Sequence, residues 1–315
     1  HLYARTKAEF IDELWVIIVL VIGGLGALLS LSFAAYVVYK VSRKALGKRY
    51  VGLGLTLLLS LTLLFLTVLP FVFSPSEVIC GLRYLLPGIS FTLCFAVVLV
   101  KLMSLQNYKL IGLGGEVSWV NQFLTVIFIV GVQVAISIPW WLHKQPNMHS
   151  ISDSLGSHWY ACNFSRQDFA AYHGYVILLI LICCFYAVGV RKEKKNMGEA
   201  KLLLACSWTC LAIWITWFLI FFLLDQRWSD IIICSSILSC AMAALLIIFI
   251  PKIRMVSRLK YDITQKANFR NGHSVDTDFL YERPYSLPGT LTSTFSSAKM
   301  NYPKTFSNFD AEVNY

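Results

Sequence analysis

The chain has 315 residues, of which 57% are hydrophobic and only 14% are charged. A soluble protein of this size has too little polar surface to cover so much apolar mass, so a membrane class is indicated before any motif is read. The formal net charge of +10 comes in short clusters beside apolar runs, a pattern that sets topology and meets anionic lipid head groups rather than nucleic acid.

Crossing a hydrocarbon core of roughly 30 Å takes about 20 apolar residues in a helix. Seven such runs follow one another. The first covers 14–39, and Lys40, Arg43, Lys44, Lys48 and Arg49 come after it. The second covers 50–73, with a short loop at 74–78. The third covers 80–104 and the fourth 121–142, followed by a long polar loop over 143–168. The fifth covers 169–190, and Arg191, Lys192, Lys194 and Lys195 succeed it. The sixth covers 199–224, and the seventh covers 229–250, ended by Pro251. Backbone in lipid must satisfy its own hydrogen bonds, and helices do so. The predicted fold is therefore all-α, a bundle of seven transmembrane helices. Pro70, Pro87 and Pro139 are expected to kink the second, third and fourth of them, which membrane helices tolerate.

Lys and Arg concentrate after the first, fifth and seventh runs, the last being followed by Lys252, Arg254, Arg258 and Lys260. The alternate loops carry few bases, balanced by Glu77, Asp153, Asp168, Asp225 and Asp230. The basic side is the cytosolic side. The amino terminus is thus expected outside and the carboxyl terminus inside, which agrees with an odd number of crossings. Residues 1–13 read as an extracellular stub, 14–251 as the membrane domain and 252–315 as a cytoplasmic tail. Because the chain opens on His1 rather than Met, an ectodomain is expected before it. The tail is polar, with hydroxyls dense over 286–297 and tyrosines at Tyr261, Tyr281, Tyr285, Tyr302 and Tyr315. It reads either as a phosphorylation and docking stretch or as a flexible tail with incidental hydroxyls.

Of nine cysteines, seven fall inside predicted helices, where cysteine behaves as a small apolar residue. The other two, Cys80 and Cys162, both face the oxidising side, so a bridge between them is chemically allowed. It would pin the long loop over the bundle mouth. Asn163, Phe164 and Ser165 form a glycosylation acceptor on the same side. His143, His149, His158 and His173 are too scattered for a metal site, which wants tight, regular spacing. No metal and no cofactor is expected. Trp140, Trp141 and Trp228 read first as an interfacial aromatic belt. There are no paired intramembrane carboxylates, no His-Glu-x-x-His and no Gly-rich phosphate loop, so no enzyme is expected. No internal repeat supports a transporter.

Several short motifs stand in a fixed order. Asn196-Met197-Gly198-Glu199-Ala200-Lys201 enters the sixth run, and Phe249-Ile250-Pro251-Lys252 closes the seventh. Lys101 lies low in the third, Cys210 and Trp214 lie in the sixth, and Gln122 and Gln133 lie in the fourth. With these motifs the chain from about 15 to 260 resembles the seven-helix domain of class C G-protein-coupled receptors, the group of metabotropic glutamate, GABA-B, calcium-sensing and taste receptors. Arg254 departs from the aromatic residue that many members carry after Pro-Lys.

The resemblance implies a plasma-membrane receptor that passes an external signal to a heterotrimeric G protein by rearranging helices 3, 6 and 7. It also implies a receptor dimer. It implies a Lys101–Glu199 salt bridge holding the inactive state, and an allosteric pocket lined by Trp214 and Phe218. The residues themselves leave these readings open. Lys101 lies 21 residues after Cys80, roughly 31 Å along a helix, so it reaches the cytosolic edge at the depth of Glu199. Two solvated charges, or a Glu199 placed by the helix dipole, fit that depth as well. Trp214 and Phe218 share a helix face and equally suit plain packing against lipid. The basic rim of Arg43, Lys44, Lys192, Lys194 and Lys195 meets membrane lipids first and a G protein second. A different class of function also stands: a cell-surface ligand of the bride-of-sevenless kind, whose ectodomain engages a receptor tyrosine kinase on a neighbouring cell.

Overall fold

The computed structural model describes residues 11, 13–42, 51–111, 118–143, 148–152, 158–162, 165–192, 195–225 and 228–254. Helices dominate them. Span 1 is α1 (Leu14–Ser42), and span 2 is α2 (Gly52–Leu66) with α3 (Leu69–Val72). Span 3 is α4 (Glu77–Ile111) and span 4 is α5 (Trp119–His143). Span 5 is the pair α6 (Arg166–Tyr172) and α7 (Gly174–Val190), bent by 43°. Span 6 belongs to α8 (Lys195–Leu223), and span 7 to α9 (Ser229–Ala244) with a π turn at Leu245–Phe249. Six spans are single stretches long and apolar enough to cross a bilayer, and the bent pair makes the seventh.

Span 3 runs through the middle, with α4 packed against α2, α3, α5, α7 and α8. Its neighbours approach through small and hydroxyl-bearing residues, the usual glue where lipid removes a hydrophobic drive between helices. Ser30 donates to the Leu58 carbonyl at 2.8 Å, joining spans 1 and 2. Thr67 and Ser90 share a 2.8 Å hydrogen bond between spans 2 and 3. Tyr84 of span 3 stacks on Trp140 of span 4 with ring centroids 3.3 Å apart. Tyr172 of span 5 donates to the Leu85 carbonyl at 3.1 Å, and its hydroxyl meets that of Ser137 in span 4 at 2.9 Å. Gly88 makes this junction possible, since a Cβ there would meet the Tyr172 ring.

Three differences from the sequence reading, at the hairpin, the start of span 5 and Pro251, have physical causes. The polar loop over 143–168 contains an antiparallel hairpin, β1 (Met148–Ser152) against β2 (His158–Cys162), with Met148 opposite Cys162. Runs of five residues carry too little alternation for the pattern to stand out. Span 5 begins before residue 169, because the Ser165 hydroxyl caps α6 by accepting from the Asp168 N–H at 3.1 Å. Pro70 opens α3 after a break at Thr67–Val68, whereas Pro87 and Pro139 lie inside α4 and α5 without ending them. Pro251 does not stop the last helix either. The helical path continues to Arg254, and the π turn before it loosens the ladder that an interior proline disrupts.

The packing at Gly88 has a measurable consequence. Gly88→Ala should lower the apparent melting temperature in detergent, at an overpacking cost of about 1–3 kcal/mol. Gly24→Ala, where a Cβ meets nothing within 4 Å, should leave it unchanged or slightly raised.

Candidate functional site

At the end of the bundle where the basic motifs gather, one carboxylate meets two ammonium groups. Lys101 Nζ donates to Glu199 Oε1 at 2.5 Å, and Lys252 Nζ reaches the same oxygen at 2.5 Å. The side chains are 7%, 3% and 20% exposed for Lys101, Glu199 and Lys252. Three spans therefore meet at one acceptor: span 3 through Lys101, span 6 through Glu199 and span 7 through Lys252.

Local structure explains each placement. Gly198 takes φ +72°, a left-handed conformation that costs other residues about 1–2 kcal/mol. It lies inside α8, one residue before Glu199, which stands one turn past the start of that helix at Lys195. The π turn Leu245–Phe249 precedes Lys252 by less than one helical turn and shifts the face that follows. Lys101 is fixed by the central helix, deep among Val97, Val98, Val100 and Leu102. A buried carboxylate is costly unless it is paired. Among the described residues two lysines meet it, and Lys252 is the most exposed of the three.

The sequence reading named Lys101 with Glu199, and Lys252 separately as a motif residue; the structure brings all three together. At the opposite end it shows a second ionic contact that the reading missed. Arg83 of span 3 is 2% exposed and donates to Asp230 of span 7 at 2.6 Å. It also donates to the Pro70 carbonyl at 3.0 Å and the Phe73 carbonyl at 2.7 Å. The signal was present: an ionisable residue inside an apolar span marks a site by default. Asp230 was counted instead among the loop acids, although it lies in the first turn of α9.

Cys80 and Cys162 form a disulfide that ties β2 to the start of α4. The remaining described cysteines are free and buried. Trp214 is buried within an aromatic group, with ring centroids 5.0 Å from Phe91, 5.2 Å from Trp217 and 5.8 Å from Phe218. Trp214 and Phe218 also border an apolar groove of about 410 Å³ between spans 5 and 6. Ile215, Leu219 and Leu223 on that groove are exposed, so it opens sideways toward lipid rather than into the bundle. Among the described residues no group of three or more His, Cys, Asp or Glu is arranged to hold a metal ion. Of the basic rim, Lys192 is exposed after α7 and Lys195 opens α8. Arg43, Lys44, Lys194, Asn163 and the tail from 255 lie outside the described residues.

Comparison with known proteins places this geometry. The family model described as "7 transmembrane sweet-taste receptor of 3 GCPR" matches residues 10–252. A probable metabotropic glutamate receptor of Caenorhabditis elegans is 24% identical over 245 residues, which are 73% of this chain and 24% of that protein. The G-protein coupled receptor family C group 6 member A of Carassius auratus is 31% identical over 193 residues, 59% of this chain and 21% of that protein. The chain thus spans about a quarter or less of the length of these curated relatives.

The shared acceptor sets an order of stabilities. Glu199→Gln leaves two inward lysines without a counter-charge and should cost about 3–5 kcal/mol. Lys252→Met leaves the Lys101–Glu199 pair intact and should cost less. A thiol-reactive dye, which reads exposure of the buried cysteines on heating, should rank the apparent melting temperatures wild type, Lys252→Met, Glu199→Gln from high to low.

Proposed function

We propose a resting-state latch for this chain, which belongs to the seven-transmembrane class C G-protein-coupled receptor family and is a multi-pass protein of the plasma membrane. Members of this family are receptors rather than enzymes. In our reading the basic end faces the cytosol, following the distribution of Lys and Arg. Residues 1–13 then stand outside and 252–315 inside.

One observation carries the proposal: Glu199 is buried and accepts from lysines of two other spans. The latch holds spans 3, 6 and 7 together at the face where a heterotrimeric G protein docks. A signal arriving at the hairpin end shifts the bundle to a packing in which Glu199 parts from one or both lysines. The ends of the spans separate and admit the G protein. Two packed states differing by a few kcal/mol suffice for such a switch. A lone surface pair, at about 0–1 kcal/mol, is a weak restraint. A buried acceptor shared by two lysines is a stronger one, because parting leaves charge uncompensated.

Basal nucleotide exchange on a purified heterotrimeric G protein, measured in membranes without added stimulant, tests this reading. Glu199→Lys places three cations together and should raise the basal rate about fivefold or more, the lower range of ordinary coupling between sites. An unchanged rate at normal surface expression removes the restraining role. Absence of exchange in every variant and in the wild type would favour the cell-surface ligand of the bride-of-sevenless kind instead.

A further inference from the structure

Arg83 and Asp230 sit at the other end of the same spans that the Glu199 cluster joins. Arg83 lies one turn into the membrane from Cys80, which the disulfide fixes. Its guanidinium uses all three nitrogens: Nε to the Pro70 carbonyl, Nη2 to the Phe73 carbonyl and Nη1 to Asp230. The carbonyls at the end of α3 lack helical partners, and a cation there is favoured by the helix dipole. Asp230 lies in the first turn of α9, where an anion is favoured for the converse reason. The Phe71 ring stacks under the guanidinium with its centroid 5.4 Å away. One buried cation thus joins the end of span 2 and the start of span 7 across span 3.

Span 7 is therefore held by charge at both ends, through Asp230 and through Lys252. Between them lies the π turn Leu245–Phe249, the weakest part of its hydrogen-bond ladder. We propose that the Arg83–Asp230 pair is a second latch, which holds span 7 in the same arrangement as the Glu199 cluster, and that the π turn is the pivot about which the basic end of span 7 swings when this pair opens. Arg83 is a positioning residue in this scheme: it acts on Lys252 through span 7. The inference deepens the receptor reading and rests on it for its meaning, but its geometry is testable without a G protein.

Spin labels on Lys201→Cys and Arg254→Cys report the separation of spans 6 and 7 at the basic end. Both positions are exposed, and the described native free thiols are buried. Pulsed electron resonance in nanodiscs should give one dominant distance for the otherwise unmodified chain. Asp230→Asn and Arg83→Met should each move about a tenth or more of the molecules to a longer distance, a ratio typical of two accessible states. Arg83→Lys, which keeps the ion pair, should move fewer. Asp230→Asn preserves shape and decides the matter if Arg83→Met does not fold. An Asp230→Asn distribution identical to the parent overturns the proposal. So does equal displacement by Arg83→Lys and Arg83→Met with Asp230→Asn silent, since that pattern assigns Arg83 to carbonyl capping alone. Basal nucleotide exchange should rise with the long-distance population. A distance change without exchange keeps this latch and removes the receptor reading instead.

Discussion

A carboxylate at the depth of Glu199 exists in the folded bundle only because cations meet it there. Removing it from water is costly, and two ammonium groups from two different spans offset that cost. Other features of the basic end follow from this requirement. Span 3 must bring Lys101 to the level at which span 6 begins. Gly198 must set the backbone so that Glu199, one residue on, is buried against spans 3 and 7. Span 7 must present Lys252 on the inner face, less than one turn beyond the site where its hydrogen-bond ladder loosens. A contact formed by three separate helices reports their mutual position, and is lost when any one of them moves. Nonpolar packing lacks this property, since a sliding apolar surface finds new neighbours at little cost.

The two ends of the bundle are held by different means. At the hairpin end a disulfide fixes β2 to span 3, and Arg83 gathers spans 2, 3 and 7. At the basic end among the described residues, noncovalent charge contacts join spans 3, 6 and 7. Between the ends, Phe91, Trp214, Trp217 and Phe218 interlock across spans 3 and 6. Large aromatic faces are rigid and have few alternative packings, so a disturbance on one side is passed on as displacement. In the proposed mechanism the covalent anchor stands where a signal arrives, and the reversible contacts stand where the response is read.

The seven apolar runs and the common depth of Lys101 and Glu199 are legible in the sequence because each rests on a strong regularity, whereas the pairing of the two came from the family resemblance alone. Helix length is fixed by bilayer thickness, and a residue's depth follows from counting along the helix. The third member of the cluster was less visible. Lys252 follows Pro251, which reads as a stop, and nothing in a linear pattern reveals a π turn that carries the helix past it. The hairpin at 148–162 escaped because its strands are short and separated by polar residues. Arg83 escaped for another reason: its partners are backbone carbonyls of Pro70 and Phe73, which no side-chain motif can signal. Spacing put Trp214 and Phe218 on one face of span 6 but left open which way that face turns; the structure buries Trp214. The groove beside it, which opens to lipid, depends on how spans 5 and 6 diverge and is a tertiary property alone.

Amine footprinting in intact membranes is the most direct test of the shared carboxylate, because it needs no signalling partner. A membrane-permeant acylating reagent followed by peptide mass spectrometry would give the modification rates of Lys101, Lys252 and the exposed Lys201. The Glu199 cluster predicts strong protection of Lys101 and partial protection of Lys252 relative to Lys201, with both protections lost in Glu199→Gln. Lys101 and Lys252 reacting as fast as Lys201 in the wild-type chain would contradict it.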